Sequence, residues 1–90
     1  MQPTTHTLKT EPQYFCDTWA LKKKFEIRQN DRNFRIGDLV ILKEFNPLNN
    51  SHTGREVHGK IEYFFDKFPA LAPTYCVFSF RITALKNLAL

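Results

Sequence analysis

Alternation of apolar and polar residues dominates this chain and predicts strands. Lys24-Phe25-Glu26-Ile27-Arg28 sets Phe25 and Ile27 on one face, toward a core, and Lys24, Glu26 and Arg28 on the other. Leu39 to Phe45 is the most apolar segment and reads as a strand buried on both sides, or as barrel wall. Glu56 to Phe65 alternates again, with Val57, Gly59, Ile61, Tyr63 and Phe65 together and only Phe64 out of phase. Tyr75 to Ile82 gathers Cys76, Phe78, Phe80 and Ile82 on one face, and His6-Thr7-Leu8-Lys9 is a short first strand.

One stretch follows a different period. Thr10 as N-cap, Glu11 in the first turn and Pro12 at an early position signal a helix start, and Pro12 to about Leu21 places Phe15 and Trp19 one turn apart. In that helix Cys16 reads as a buried residue. Met1 to Thr5 reads as a frayed terminus, Gly37-Asp38 as a turn, and Asn46 to Ser51 and Asp66 to Thr74 as loops. Residues 83–90 form an apolar tail that packs back or meets a partner. One early helix and four or five closely spaced strands make an α+β domain around a small, strongly curved sheet or barrel.

Composition narrows the class. Ninety residues suit a single domain over 1–90, and 42% hydrophobic with 14% aromatic residues is too rich for intrinsic disorder. The longest aliphatic run is Leu39-Val40-Ile41-Leu42, far short of the roughly 20 residues that span a bilayer. Met1 to Thr10 lacks the apolar core of a signal peptide, and Cys16 and Cys76 form no disulfide framework, so the expectation is a soluble, cytoplasmic protein without a membrane partner. Net charge is +4, and the whole excess lies between Lys22 and Arg35, where six basic residues face Glu26 and Asp31. A local positive patch is the footprint of a polyanion partner. The plainer reading is an edge strand protected from aggregation by its charges.

The ordered series Phe25-Glu26-Ile27-Arg28, Asn30-Asp31-Arg32, Gly37-Asp38 and Thr53-Gly54-Arg55, with Leu8-Lys9-Thr10, Pro12 and Tyr14-Phe15 before it, resembles the ASCH domain, named for homology to an activating signal cointegrator and belonging to the PUA-like fold. The closest pattern is that of a small branch found in bacteria and phages, and the likeness covers residues 6–82. It implies a closed or nearly closed, mostly antiparallel five-stranded β-barrel with the N-terminal helix packed beside it, and a basic cleft between helix and barrel. Two positions depart from the pattern: Leu21 stands where the branch carries Gly, implying a different backbone route, and His52 stands where an aromatic precedes Thr-Gly-Arg.

The charged segment falls on that implied cleft, and Lys23, Lys24, Glu26, Arg28 and Arg32 are its candidate binding residues. Lysine and arginine neutralise phosphate, and a carboxylate accepts from an exocyclic amine or ring N–H of a base. The plainer alternative is a surface salt bridge between Glu26 and Arg28 or a lysine. Tyr14 is the stacking candidate, because its hydroxyl tolerates a wet edge, whereas Phe15 and Trp19 read as core. Trp19 and Phe45 also lie near the cluster in the family topology. Arg55 is the candidate for a bidentate phosphate clamp, with a hairpin turn as its alternative. His6, His52 and His58 have no metal-ligand spacing, and neither metal nor cofactor is expected.

Three roles follow. The first is a small RNA- or nucleotide-binding module whose partner is RNA, a nucleotide or a nucleoside, as a monomer or weak homodimer. The second is an enzyme, since some compact ASCH proteins hydrolyse acylated cytidines (N4-acylcytidine type) with a lysine, a threonine three residues later and a distant glutamate. Here Lys23 matches, Glu26 replaces the threonine, and Glu44 or Glu62 is the distant acid, so binding is favoured over catalysis. The third is a protein-interaction or coactivator-like adaptor acting through residues 83–90.

Overall fold

All six expected elements appear, one helix and five strands, and one strand is turned inside out. The computed structural model describes residues 2–89, so Met1 and Leu90, the outermost residues of the expected frayed terminus and tail, lie outside the described residues. The chain runs β1 (Thr5–Thr10), α1 (Pro12–Trp19), β2 (Phe25–Gln29), β3 (Leu39–Asn46), β4 (Ser51–Phe65) and β5 (Tyr75–Asn87). The strands form one sheet in the order β1-β3-β4-β5-β2. β1 runs parallel to β3 and the other three pairings are antiparallel. A parallel pair needs a crossover, and α1 with β2 supplies it.

The sheet curls into a half-barrel around one core. Leu8 from β1, Val40 and Leu42 from β3, Val57 and Ile61 from β4, and Cys76, Phe78 and Phe80 from β5 are all buried, and Phe15 of α1 closes the side as a fully buried ring. The barrel does not close. β1 and β2 are the two edges, and neither pairs with the other.

β2 keeps its alternation with the phase opposite to that expected from Phe25 and Ile27. It pairs with β5 so that Glu26 faces Phe78 and Arg28 faces Cys76, both core positions. Glu26 is therefore 4% exposed, whereas Phe25 is 45% and Ile27 58% exposed. The charged face points inward. Lys24 is exposed and precedes the strand, so it does not share the face of Glu26 and Arg28.

Other boundaries shift for local reasons. Thr10 is the last residue of β1 and not a helix cap; Glu11 holds the cap position without a side-chain bond, and Pro12 fills the first turn. Cys16 lies on the outer face of the helix and is exposed. A bulge in β4 between Ile61 and Tyr63 reverses the alternation, leaving Tyr63 61% exposed and packing Phe64 against the core. Thr53-Gly54-Arg55 belongs to β4 itself, with Gly54 at φ 99. A Cβ there would lie 2.6 Å from Ala89, because residues 83–87 continue β5 along β4 and Leu88 N–H donates to Gly54 O. The tail thus packs back on its own sheet.

Leu21 takes the left-handed conformation at φ 66, the route a glycine would take. Its N–H donates to Thr18 O and that of Lys22 to Asp17 O, the paired bonds of a Schellman termination. A leucine in this region carries a steric cost of about 1–2 kcal/mol, partly offset in the comparison with glycine by glycine's greater freedom when unfolded. Leu21 is 51% exposed and buries little. Leu21→Gly is expected to raise stability by about 1 kcal/mol, read as a higher urea midpoint at unchanged slope.

Candidate functional site

The open edge of the half-barrel is a cleft of about 730 Å³. β1 supplies one lip through Leu8, Lys9 and Thr10; β2 and the turn after it supply the other through Glu26, Arg28 and Arg32; Glu11 and Tyr14 stand at the start of α1. Its volume falls within the roughly 300–1,000 Å³ of small-molecule sites.

Glu26 is part of its wall. Lys23 Nζ donates to Glu26 Oε2 at 2.5 Å and to Phe25 O at 2.7 Å, and Arg28 Nε donates to Glu26 Oε1 at 2.7 Å. Each carboxylate oxygen thus accepts one charge-assisted bond and keeps a lone pair for another donor. Arg28 then crosses the gap, its Nη2 donating to Lys9 O at 2.8 Å and to Thr10 Oγ1 at 3.0 Å. Arg32 repeats the crossing one step along, from Nη1 to Thr7 O at 2.9 Å. Side chains bridge the two edges where a closed barrel would have backbone pairs.

Lys23, Glu26, Arg28, Arg32 and Tyr14 all line this cleft. Lys24 and Arg55 do not. Arg55 forks onto Glu44 instead, Nε to Oε1 at 2.8 Å and Nη2 to Oε2 at 2.9 Å, while Thr53 Oγ1 donates to the same Oε1 at 2.6 Å. Its guanidinium lies over Trp19 at 4.9 Å and Phe15 at 5.3 Å. The Thr-Gly-Arg motif holds an internal carboxylate, so the fork expected to clamp phosphate is already filled. Glu62 is exposed near Arg81, so neither of the two distant acids reaches the cleft. Phe45 faces His52 and Lys9 on the outer side of the sheet.

The cleft is less basic than the sequence segment that feeds it. Lys9, Lys23, Arg28 and Arg32 are met by Glu11, Glu26 and Asp31. Among the lining residues that sequence reasoning did not single out are Lys9 and Thr10. The period-2 pattern of residues 5–10 does turn Thr10 inward with Leu8, but nothing local says that β1 is an edge facing β2.

Residues 5–80 match the family model described as Domain of unknown function (DUF3850). The chain belongs to this family. The matched span contains every residue of the DUF3850 cleft, from Leu8 to Tyr75. An uncharacterized 12.9 kDa protein in the GpA 3′ region of Escherichia phage P2 is 36% identical over 61 residues, 68% of this chain and 54% of the relative. The chain therefore spans about half the length of that curated relative. No helix among the described residues is long and apolar enough to cross a membrane.

Three carboxyls are held below their ordinary values. Glu44 is lowered first by its hydrogen bond from Arg55, then by Thr53 and the charge of Arg55, against the opposing effect of burial. For Asp38, burial pushes upward most strongly, yet the bond from His6 and the N–H groups of Thr4 and Arg35 together outweigh it. Glu56 is lowered chiefly by its bond from His58, burial opposing and Lys43 adding to it. A lowered folded value means that the stabilisation is complete above the unfolded value and is lost as pH falls through the folded one. Urea midpoints should accordingly hold near neutrality and decline below about pH 5. Arg55→Met leaves Glu44 buried without its cation and should cost about 3 kcal/mol at pH 7, a gap that narrows on acidification as Glu44 takes a proton.

Proposed function

We propose that this protein is a small nucleotide- or RNA-binding module of the ASCH type, a member of the PUA-like group, that takes a base into the cleft between β1 and β2. The observation that carries this reading is Glu26, a buried carboxylate in the wall of an open cleft, held by Lys23 and Arg28 with lone pairs to spare. Such a group accepts from an exocyclic amine or ring N–H. A charge on the inner face of the sheet is costly to bury, and a ligand that uses it accounts for its place. Tyr14, 51% exposed at the mouth, offers a ring for stacking. The near balance of charges in the lining favours a selective pocket over a nonspecific phosphate groove. The free thiols of Cys16 and Cys76 agree with a reducing, cytoplasmic setting, and we take the module as a monomer or weak homodimer.

Titration calorimetry at low salt with nucleosides, nucleoside monophosphates and short single-stranded RNA tests the reading. Tyr14→Ala should weaken binding by about 1–3 kcal/mol with an unchanged melting temperature, as expected for a lost stacking surface. Glu26→Gln should alter which bases bind. Failure of all three ligand classes removes the proposal.

A hydrolytic role is the second reading, favoured by the Lys23–Glu26 contact inside the cleft. Glu26 would serve as general base to a water, since it cannot replace a hydroxyl nucleophile. Incubation with N4-acetylcytidine followed by chromatography separates the two: a binding module returns the nucleoside intact, and release of cytidine and acetate would replace binding by catalysis.

A further inference from the structure

A second depression, of about 450 Å³, adjoins the cleft and shares Leu8, Lys9, Arg28 and Arg32 with it. Its origin is topological. Parallel pairing sets Lys9 of β1 opposite Lys43 of β3, and pairing of β3 with β4 sets Phe45 opposite His52. Alternation turns Lys9 and Lys43 to the outer side, while Leu8, Leu42 and Glu44 go inward. From the opposite lip, Arg28 and Arg32 reach over the free edge of β1 to the carbonyls of Lys9 and Thr7. Four cations and a histidine line this depression, and no carboxylate does.

Like charges opposite one another on paired strands repel. The chain offsets this only in part: Lys43 stands opposite Glu56 on β4, and Arg32 Nε lies 3.9 Å from Asp31. Lys9 lies over the Phe45 ring at 4.4 Å, and Lys43 reaches Glu56 only at 3.6 Å, while His58 holds that carboxylate at 2.9 Å. Inside the cleft the situation is reversed, because Lys23 and Arg28 are both committed to Glu26. An anionic group entering the cleft would meet Glu26, whereas at the rim it meets donors alone.

We propose that this rim, built by Lys9, Arg32, Lys43 and His52, binds one phosphate group, and that the ligand of the site is a nucleotide unit with its base beside Glu26 and its phosphate on the rim. The base half of this statement rests on the proposed function; the rim stands on its own charges. A terminal monophosphate and an internal phosphodiester share the chemistry. They differ in charge, so the rim should favour the terminal dianion.

Amide chemical shifts followed by NMR during titration with inorganic phosphate test the rim directly. Saturable shifts are expected at Lys9, Arg32, Lys43 and His52, and the Lys43→Gln/His52→Gln double variant, whose two positions lie outside the cleft, should lose them. Affinities for cytidine, cytidine 5′-monophosphate and a dinucleoside monophosphate complete the experiment. The terminal monophosphate should bind about tenfold tighter than the nucleoside, and the double variant should bring that ratio close to one while leaving the nucleoside's affinity unchanged. Tighter binding of the dinucleoside monophosphate, abolished in the same variant, would keep the rim and assign it to an RNA backbone. Equal affinity for nucleoside and nucleotides, or no rim shifts with phosphate, overturns the phosphate site and leaves the base cleft standing. Rim shifts without binding of any nucleoside or nucleotide retain the rim and remove the cleft reading.

Discussion

Arg28 joins the two edges of the sheet. Its Nε holds Glu26 on its own strand, and its Nη2 holds the carbonyl of Lys9 and the hydroxyl of Thr10 on the opposite one. A curled five-stranded sheet ordinarily removes its edges by pairing the first and last strands. Here the edges stop a side chain's length apart, and Arg28 and Arg32 supply the missing donors to β1. The cleft exists because that ladder is absent; backbone pairing of β1 with β2 would fill the space. The guanidinium thus both offsets an edge and props open the site.

Two arginine–glutamate pairs with a buried carboxylate are built on this half-barrel, and their surroundings separate their roles. Glu44 is 4% exposed, gripped at both oxygens by Arg55 and capped by Thr53, with Phe15 and Trp19 beneath the guanidinium. No ligand is needed to account for it, since it ties the start of β4 to β3 and α1. Glu26 is equally buried, yet its partners are a lysine and an arginine on the wall of a cleft. Burying an ion pair is weak evidence for stability, because apolar residues would serve as well or better. A closed arrangement such as that of Glu44 is sufficient as structure. On the proposed reading, the pair at Glu26 differs in lining the cleft, where a ligand can meet it.

Much of this was legible in the residues. The strands from β1 to β5, the core face of β5, and the gathering of Tyr14, Lys23, Glu26, Arg28 and Arg32 in one place follow from periodicity, charge and the family-like pattern, whereas β3, expected to be buried on both sides or to form barrel wall, buries one face alone. The orientation of β2 was not legible. Alternation in Lys24 to Arg28 defines two faces without saying which is inside, and Phe25 with Ile27 argues for the wrong one unless something neutralises Glu26. That something is partly nonlocal: Arg28 is steadied by β1, whose nearness depends on the sheet order. The bulge after Ile61 was likewise hidden, although Phe64, out of phase, marked its neighbourhood. Arg55 was misread because an Arg in a Thr-Gly-Arg motif has the same chemistry for an internal carboxylate as for a phosphate, and only the proximity of Glu44 decides between them.

The opposition between cleft and rim also changes what the charge excess means. A cluster of cations in sequence suggests a surface that binds any polyanion, with affinity set by salt. Folding divides that cluster: Lys23 and Arg28 turn inward and are largely answered by Glu26, while Arg32 joins Lys9 and Lys43, residues outside the charged segment, at the rim. On the proposed reading, the inner group sets which base is accepted and the outer group sets how tightly its phosphate is held. Strength and selectivity then depend on different residues, and salt should weaken the outer contribution more than the inner one, because Arg32 and Lys43 are more exposed than Lys23 and Arg28.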